Sequence, residues 1–265
     1  MLIFAALLTV ASAAADIPTT WQTLAPGFDE AQLPLDTGAP ITVLRFDPHE
    51  WQLEFVGIGN SEEPAQSARD WSRRRGFAAA INAGMFQRDY RTHIGFLKFR
   101  DHIGSSRTND YRSVAAFDAG SPNLPAFRMF DLDVPGLTMK DILADYASAT
   151  QNLRLIRRPG INQWPPQERR WSEAALGEDR DGRILFIFSR APLSMHDFNE
   201  RLLASDIGVV AAQHLEGGPE AQLYMHLGEA EHEWFGSYET SFREDDTNAA
   251  AWPIPNVLGV RRRGP

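Results

Sequence analysis

Apolar and polar side chains alternate through Ile41-Thr42-Val43-Leu44-Arg45-Phe46 and again through Trp51-Gln52-Leu53-Glu54-Phe55-Val56, with the turn-forming Asp47-Pro48-His49-Glu50 between them. A period of two on either side of a turn predicts a β-hairpin. The pattern then changes. Ser61-Glu62-Glu63-Pro64 puts acidic residues and a proline at the start of a helix expected over 64–75, and Gly76 supplies its stop. A short apolar strand at 77–81 runs into Asn82-Ala83-Gly84-Met85-Phe86. Further strands are predicted over 93–99, 112–117, 126–130, 153–156, 173–176, 183–188, 209–215, 221–225 and 257–260. Helices are predicted over 138–147, where Thr138 and Asp141 have capping-box spacing, and over 194–205, with Ser194 as N-cap and Gly208 past the end. Pro159-Gly160 and Trp164-Pro165-Pro166 mark a long connection, expected to form a flap.

Two stretches share one form, a strand, a helix and then an apolar strand that runs out into a polar residue followed by small ones. The first ends at Asn82-Ala83-Gly84 and the second at Glu216-Gly217-Gly218. Strands in such units usually pair in parallel, with ligands gathered at their carboxyl ends, which would set Asn82 and Glu216 on one rim of a sheet. Each segment alone also reads as a plain turn in which glycine supplies positive φ. The expected fold is mixed α/β: a single domain with a large twisted mixed sheet of eight or more strands and a few flanking helices.

The chain has 265 residues, of which 43% are hydrophobic, and its 16 Phe, 7 Trp and 5 Tyr argue for a packed core rather than disorder. A net charge of −9 gives no general attraction to nucleic acid or to an anionic membrane, although Arg73-Arg74-Arg75 and Arg261-Arg262-Arg263 leave room for a single phosphate. Cysteine is absent, which removes disulfides, thiolate metal sites and cysteine nucleophiles together. Residues 1–15 combine an apolar run, Leu2 to Val10, with the small residues Ala11-Ser12-Ala13-Ala14-Ala15. That arrangement predicts a cleaved signal peptide and an exported protein, periplasmic or secreted; the alternative is a buried N-terminal helix. No stable membrane span is expected, since the run is too short for one. The organisation expected is therefore a signal peptide over 1–15, an N-terminal extension over 16–40 and one domain over 41–265.

Six segments, taken in order, carry a resemblance. They are Ala80-Ile81-Asn82-Ala83-Gly84-Met85-Phe86, Gln151-Asn152-Leu153-Arg154-Leu155, Arg170-Trp171-Ser172, Gly182-Arg183-Ile184-Leu185-Phe186, His214-Leu215-Glu216-Gly217-Gly218-Pro219-Glu220-Ala221-Gln222-Leu223 and Ile254-Pro255-Asn256-Val257-Leu258. Together they resemble the phosphodiester glycosidase family over about residues 41–260. The resemblance implies a hydrolase that removes a sugar from a sugar-1-phosphodiester, and so a carbohydrate or sugar-phosphate partner. Two departures stand out. The family's usual Asn-Gly-Gly-Phe-Phe reads Asn82-Ala83-Gly84-Met85-Phe86, and its Asp-Gly-Gly with a following Ser reads Glu216-Gly217-Gly218-Pro219-Glu220.

Cleavage at an anomeric carbon needs a carboxylate on the sugar side and cationic groups on the phosphate side. Glu216 suits the first role and Arg170 the second, with Lys98, Arg157 and Arg158 in reserve; Arg170 reads equally well as a solvated surface charge. Glu220 could share acid and base duties with Glu216, or join it on a divalent cation such as Ca²⁺, or be a solvated loop residue. Asn82 completes the candidate catalytic set. Around it the resemblance implies substrate contacts from Gly84, Phe86, Gln151 and Asn152. Further along the chain it implies contacts from Ser172, Glu173, His214, Gly217, Gly218 and Gln222. His214 and Glu216 would share a strand face if the strand is regular, although a buried structural histidine is the plainer reading. Glu229, Glu231, His232 and Glu233 read as a solvated hairpin loop. The competing function is a non-catalytic carbohydrate-binding or envelope-assembly protein that retains the fold.

Overall fold

The computed structural model describes residues 18–59, 61 and 63–264, so the segment expected to be a signal peptide lies outside the described residues. The first strands in chain order are β1 (Gln22–Ala25), β2 (Phe28–Leu33), β3 (Ile41–Phe46) and β4 (Trp51–Gly57), followed by helix α1 (Ala68–Arg75). Next come β5 (Ala79–Asn82), β6 (Leu97–Phe99), β7 (His102–Ser105), β8 (Ser113–Ala119), β9 (Phe127–Asp131) and helix α2 (Met139–Asp145). The chain continues through β10 (Tyr146–Asn152), β11 (Arg154–Arg157), β12 (Ile161–Asn162), β13 (Trp171–Asp179), β14 (Ile184–Leu193) and helix α3 (Met195–Leu203). It ends with β15 (Val209–Gly217), β16 (Gln222–Leu227), β17 (Ala230–Phe235) and β18 (Asn256–Arg262).

Among the described residues these strands form three sheets rather than one. An eight-stranded sheet has the order β1-β2-β3-β14-β13-β15-β11-β12, and two five-stranded sheets have the orders β7-β6-β10-β8-β9 and β17-β16-β5-β18-β4. Every pairing between them is antiparallel, which corrects the expectation of a mixed sheet with parallel strand-helix-strand units. The predicted hairpin at 41–56 is corrected as well: its turn forms, with Asp47 O accepting from Glu50 N and Trp51 N, but β3 pairs with β2 and β14 while β4 pairs with β18. The turn is a corner between two sheets. The stretch 16–40 supplies β1 and β2, which extend the eight-stranded sheet beyond β3.

Side-chain alternation explains why the chain needs three sheets. Phe186 and Phe188 of β14, Ala115 and Phe117 of β8, and Leu258 and Val260 of β18 enter one shared central core with residues from all three sheets. Their neighbours point outward and are apolar too: Leu185 and Ile187 meet Phe198 and Leu202 of α3, Val114 and Ala116 meet Ile142 of α2, and Ala80 and Tyr224 meet Trp71 of α1. Strands apolar on both faces must be covered on both. Each sheet thus faces the centre on one side and a helix on the other.

The helix ends follow local chemistry. Ser67 Oγ accepts from Asp70 N at 3.1 Å and Gly76 takes φ 67° at the end of α1, so the helix begins later than the sequence pattern suggests. Gln66 instead pairs with Ile254 in an isolated bridge, which holds the approach to the helix extended. Thr138 and Asp141 make the expected capping box, and α3 is capped by Ser194. The connection after β11 is pinned rather than loose: Trp164 Nε1 donates to Arg154 O at 2.9 Å, and the Asn162 amide reaches Glu200 Oε1 on α3 at 2.7 Å. It is no flap over the cleft described below. Of the acidic run 229–233, Glu229 lies in the turn of the β16–β17 hairpin and the rest in β17, where Glu231 and Glu233 bond Arg73 and Arg69 of α1. Among the described residues no helix is long and apolar enough to cross a membrane.

Candidate active site

The site lies where β15 leaves the eight-stranded sheet and the chain enters the β16 sheet. Glu216 and Gly217 are the last residues of β15, a 3₁₀ turn over Gly218–Glu220 follows, and β16 begins at Gln222. A cleft of about 330 Å³ opens there, lined by Glu216, Glu220, Glu239, Phe86, Gln87, Arg88, Tyr90 and Phe242. One wall is the loop after β5, closed by Gln87 N donating to Thr92 O and Ile94 N to Met85 O. The opposite wall is the segment around Glu239, whose backbone exchanges hydrogen bonds with Arg243.

Three carboxyl groups share this cleft, and all bind protons more tightly than an exposed glutamate. Burial raises Glu216 to about 8, against the opposing pull of His214 and of Gly217 N, which donates to Glu216 Oε1 at 3.1 Å. The neighbouring charges of Glu220 and Glu239 add to the rise. Burial also raises Glu220, which is 9% exposed and accepts from Tyr90 OH at 3.3 Å. Glu239 is raised by burial and pulled back by Arg169 and His214. Near neutral pH the cleft therefore presents Glu216 largely in its neutral, proton-donating form.

Behind this cluster lies a buried acid-base pair. His214 Nδ1 sits 2.6 Å from Glu173 Oε1, and Trp171 Nε1 donates to Glu173 Oε2 at 2.6 Å, so both carboxylate oxygens are used. Burial works against protonation of His214, but the Glu173 carboxylate, with the charges of Glu216 and Glu239, raises the histidine above its ordinary value. A break in register separates this pair from the cleft. Glu216 lies opposite Ala174 and His214 opposite Ala175, so Leu215 is an extra residue on β15. Ala174 enters the central core and Ala175 the outer one, which places Glu216 and His214 on opposite faces. The expectation that they share a face is corrected by this bulge.

Other residues implied by the resemblance hold the site without lining it. Asn82 is buried with both ends of its amide engaged: Nδ2 donates to Glu220 O at 2.9 Å and Oδ1 accepts from Gln222 N at 2.7 Å. It fixes the turn that carries Glu220. Ser172 Oγ accepts from Ser237 N and Tyr238 N, fastening the Glu239 segment to β13. Gln222 bonds Ala68 N and Trp252 O, and Gln151 bonds backbone groups of Phe96, Asn109 and Tyr111. Asn152 donates to Ala83 O, and Lys98 Nζ donates to Ala147 O, away from the cleft. Arg170 is exposed and reaches the site only through its backbone, which pairs with Thr240. The arginine that lines the cleft is Arg88, and the one that influences Glu239 is Arg169.

The glycines explain which of the motif changes are tolerated. Ala83 has no positive φ, and its methyl group fills the central core, so alanine fits where the family usually has glycine. Gly84 has φ 146°, and a Cβ there would run into Asn152 Oδ1 and the His93 ring. Gly218 has φ 63° and a Cβ would lie 2.7 Å from Glu239 Oε2, while one on Gly217 would lie 2.9 Å from the Trp171 ring. Of the residues expected to form the site, Glu216, Glu220 and Phe86 line the cleft and the two glycines allow the carboxyl groups to close on it. Glu239, Arg88, Tyr90 and Phe242 were not expected, because they come from irregular segments whose sequence carries no periodicity. Aromatic side chains inside polar loops were the one available signal. Among the described residues no three His, Asp or Glu side chains converge closely enough to hold a metal ion.

Comparison with known proteins places this arrangement. The phosphodiester glycosidase family model matches residues 75–261, which span the Asn82 strand, the Glu216 turn and β18. The chain belongs to the phosphodiester glycosidase family. Within the same fold it is similar to the zebrafish N-acetylglucosamine-1-phosphodiester alpha-N-acetylglucosaminidase catalytic domain, auto-inhibited by its pro-peptide, at 14% identity and TM-score 0.60, covering 92% of this chain and 82% of that one. A hypothetical protein from Synechocystis aligns at 16% identity and TM-score 0.58, covering 93% of this chain but only 64% of that one. A putative exported protein from Burkholderia pseudomallei aligns at 8% identity and TM-score 0.51, covering 87% of this chain and 74% of that one. No curated protein matches this phosphodiester glycosidase family member in sequence.

Proposed function

We propose that the protein is an exported hydrolase that cleaves the anomeric C–O bond of a sugar-1-phosphodiester, with Glu216 as the proton donor. The observation that carries this reading is the convergence of Glu216, Glu220 and Glu239 on one cleft, where burial raises Glu216 to about 8. Sequence chemistry alone assigned Glu216 a charged, sugar-side role; its burial suits it to the acid role instead.

In the proposed reaction the bond between C1 and the phosphate oxygen breaks, its electron pair leaves with the phosphate, and Glu216 supplies a proton to that oxygen. Positive charge develops at C1, where Glu239, the carboxyl group that Arg169 favours in its ionised form, stabilises it. Water then adds to C1 and its proton returns to the carboxylate of Glu216. The products are a free sugar and a phosphomonoester. Arg88 is the cleft's cationic group for the phosphate oxygens. No step needs more than the chain's own side chains and water. Export is supported by the apolar run and small residues of 2–15, and one structural neighbour, from Burkholderia pseudomallei, is described as a putative exported protein.

Purified protein incubated with nucleotide sugars and alkyl sugar-1-phosphodiesters should release reducing sugar, and the Glu216→Gln variant should do so roughly 10²-fold or more slowly. Clear binding on a glycan array with no turnover across a broad panel would replace this reading with the carbohydrate-binding one.

A further inference from the structure

Two aromatic side chains stand in the cleft with much of their surface open to solvent, Tyr90 at 46% exposed and Phe242 at 60%. Single exposed rings are common. These two, however, are presented by strained backbone on opposite walls of the same cleft. Tyr90 itself has φ 52°, and Ser241, immediately before Phe242, has φ 68°. Side chains larger than glycine rarely adopt that conformation, and they keep it only where surrounding bonds over-determine it.

Those bonds are present on both walls. Tyr90 N donates to Gln87 O at 2.9 Å, and the Asp89 carboxylate accepts from Arg91 N, Thr92 N and Thr92 Oγ1. On the other wall Ser241 N donates to Glu244 Oε1 at 2.8 Å and Phe242 N to Glu239 O at 3.1 Å. The rings are also backed: Phe86 lies 5.1 Å from Tyr90, and Trp252 meets Phe242 edge-on at 6.4 Å. The turn that lifts Phe242 out of the surface is the turn that carries Glu239. The Tyr90 hydroxyl in turn is bonded to Glu220. Each ring is thus tied to one of the cleft's carboxyl groups.

We propose that Tyr90 and Phe242 form the sugar subsite of the cleft, taking the apolar C–H face of a pyranose ring against their aromatic faces. The hydroxyl edge of the same ring would meet Glu220, Glu239 and Gln87. A ring offers one apolar face and a polar rim, and the cleft offers aromatic surface beside carboxyl and amide oxygens. This subsite makes Tyr90 and Phe242 specificity-determining residues, selecting pyranosides with an unobstructed apolar face. Its orientation of the sugar toward Glu216 rests on the hydrolase reading above, but the stacking does not require turnover.

The test uses the full-length protein carrying Glu216→Gln to stop turnover, with UDP-N-acetylglucosamine, UDP-glucose, GDP-mannose, UDP and GDP as probes in titration calorimetry. Adding Phe242→Ala should weaken the best-bound nucleotide sugar by about tenfold, and Tyr90→Ala by about fivefold, as expected for loss of one aromatic contact. Both should leave the free nucleotide within about twofold. Phe242→Trp and Tyr90→Phe should retain most of the binding, which separates a lost ring from a lost fold. Equal weakening of nucleotide and nucleotide sugar, or a starting protein that binds no nucleotide sugar better than its nucleotide, overturns the subsite. In protein with Glu216 restored, absence of turnover beside intact ring-dependent binding counts against the hydrolase reading and leaves the subsite standing.

Discussion

His214 and Glu216 are two residues apart on one strand and yet face opposite sides of the sheet, because Leu215 is the extra residue of a bulge. The bulge divides the labour between them. His214 turns to Glu173 at 2.6 Å in the outer layer, and Glu216 turns to the cleft at the end of the central core. When His214 is protonated its charge still acts through the strand, lowering the proton affinity of Glu216 and Glu239. It thus sets the charge balance of the cleft without entering it.

Activity is expected to fall on the alkaline side. Glu216 must carry its proton to act as an acid, so kcat/KM should decline with an apparent pKa near 8, the value to which burial raises this group. Glu216→Gln should reduce kcat by roughly 10²-fold or more and abolish that limb. A pH-rate profile of both proteins on one sugar-1-phosphodiester decides it. A wild-type profile flat to pH 10 removes Glu216 from the acid role.

The same shift has a consequence for stability. The folded protein holds the Glu216 proton more tightly than the unfolded chain, so this contribution is full below about pH 4.5, the ordinary glutamate value, and is lost as pH rises through about 8. Glu216→Gln keeps the neutral shape at every pH. Its melting temperature relative to wild type should therefore rise between pH 4 and pH 9, read by thermal unfolding at matched ionic strength. A constant difference across that range contradicts the raised proton affinity.

Glu173 is expected to matter more for folding than for substrate contact. Glu173→Ala leaves a buried imidazole and a half-buried indole N–H without their partner, a loss of about 3–5 kcal/mol for breaking a buried pair from one side. Urea denaturation at pH 6 measures it. A loss under about 1 kcal/mol would mean that the pair is not formed in solution.

Much of the fold was readable in the chain because its strands carry strong apolar periodicity: β3, β8 and β18 fall close to their predicted bounds, and β14 begins near its predicted start but runs on to Leu193. The arrangement of those strands was not readable. Residues such as Val43 and Leu44 look alike in sequence, although one faces α3 and the other the central core. β10 escaped altogether because Ser148, Thr150, Gln151 and Asn152 are polar, and only their hydrogen bonds in the fold make their burial possible. In the site, Glu216 and Glu220 were legible from the glycines around them. Glu239 was not, since its place depends on Ser172 and Arg170 backbone contacts far away in sequence.

Gly218→Ala should separate geometry from folding. Its φ of 63° disfavours alanine, and the added methyl group would stand 2.7 Å from Glu239 Oε2. The expected result is a loss of about 1–2 kcal/mol of stability with a much larger fall in kcat, since Glu239 must move. Calorimetric melting beside steady-state kinetics reads both quantities. An active variant with normal kcat would show that the Glu239 position is not critical.

Two arginines should behave oppositely. Arg170 is exposed, so Arg170→Ala should leave stability within about 0.5 kcal/mol and turnover near normal. Arg88 lines the cleft, and Arg88→Ala should raise KM for a phosphodiester by roughly tenfold. Steady-state kinetics on the two variants tests the pair, and the reverse pattern would return the phosphate side to Arg170.

The position of β18 bears on how the molecule is made. It lies between β5 and β4 and contributes Leu258 and Val260 to the central core, so the last strand of the chain is an interior member of its sheet. Until it arrives, β4 lacks a neighbour and the core stays open on one side. A polypeptide emerging from the ribosome therefore cannot complete this fold before about residue 260 is available. The β4–β18 seam, paired across about two hundred residues of sequence, is thus where the fold closes last.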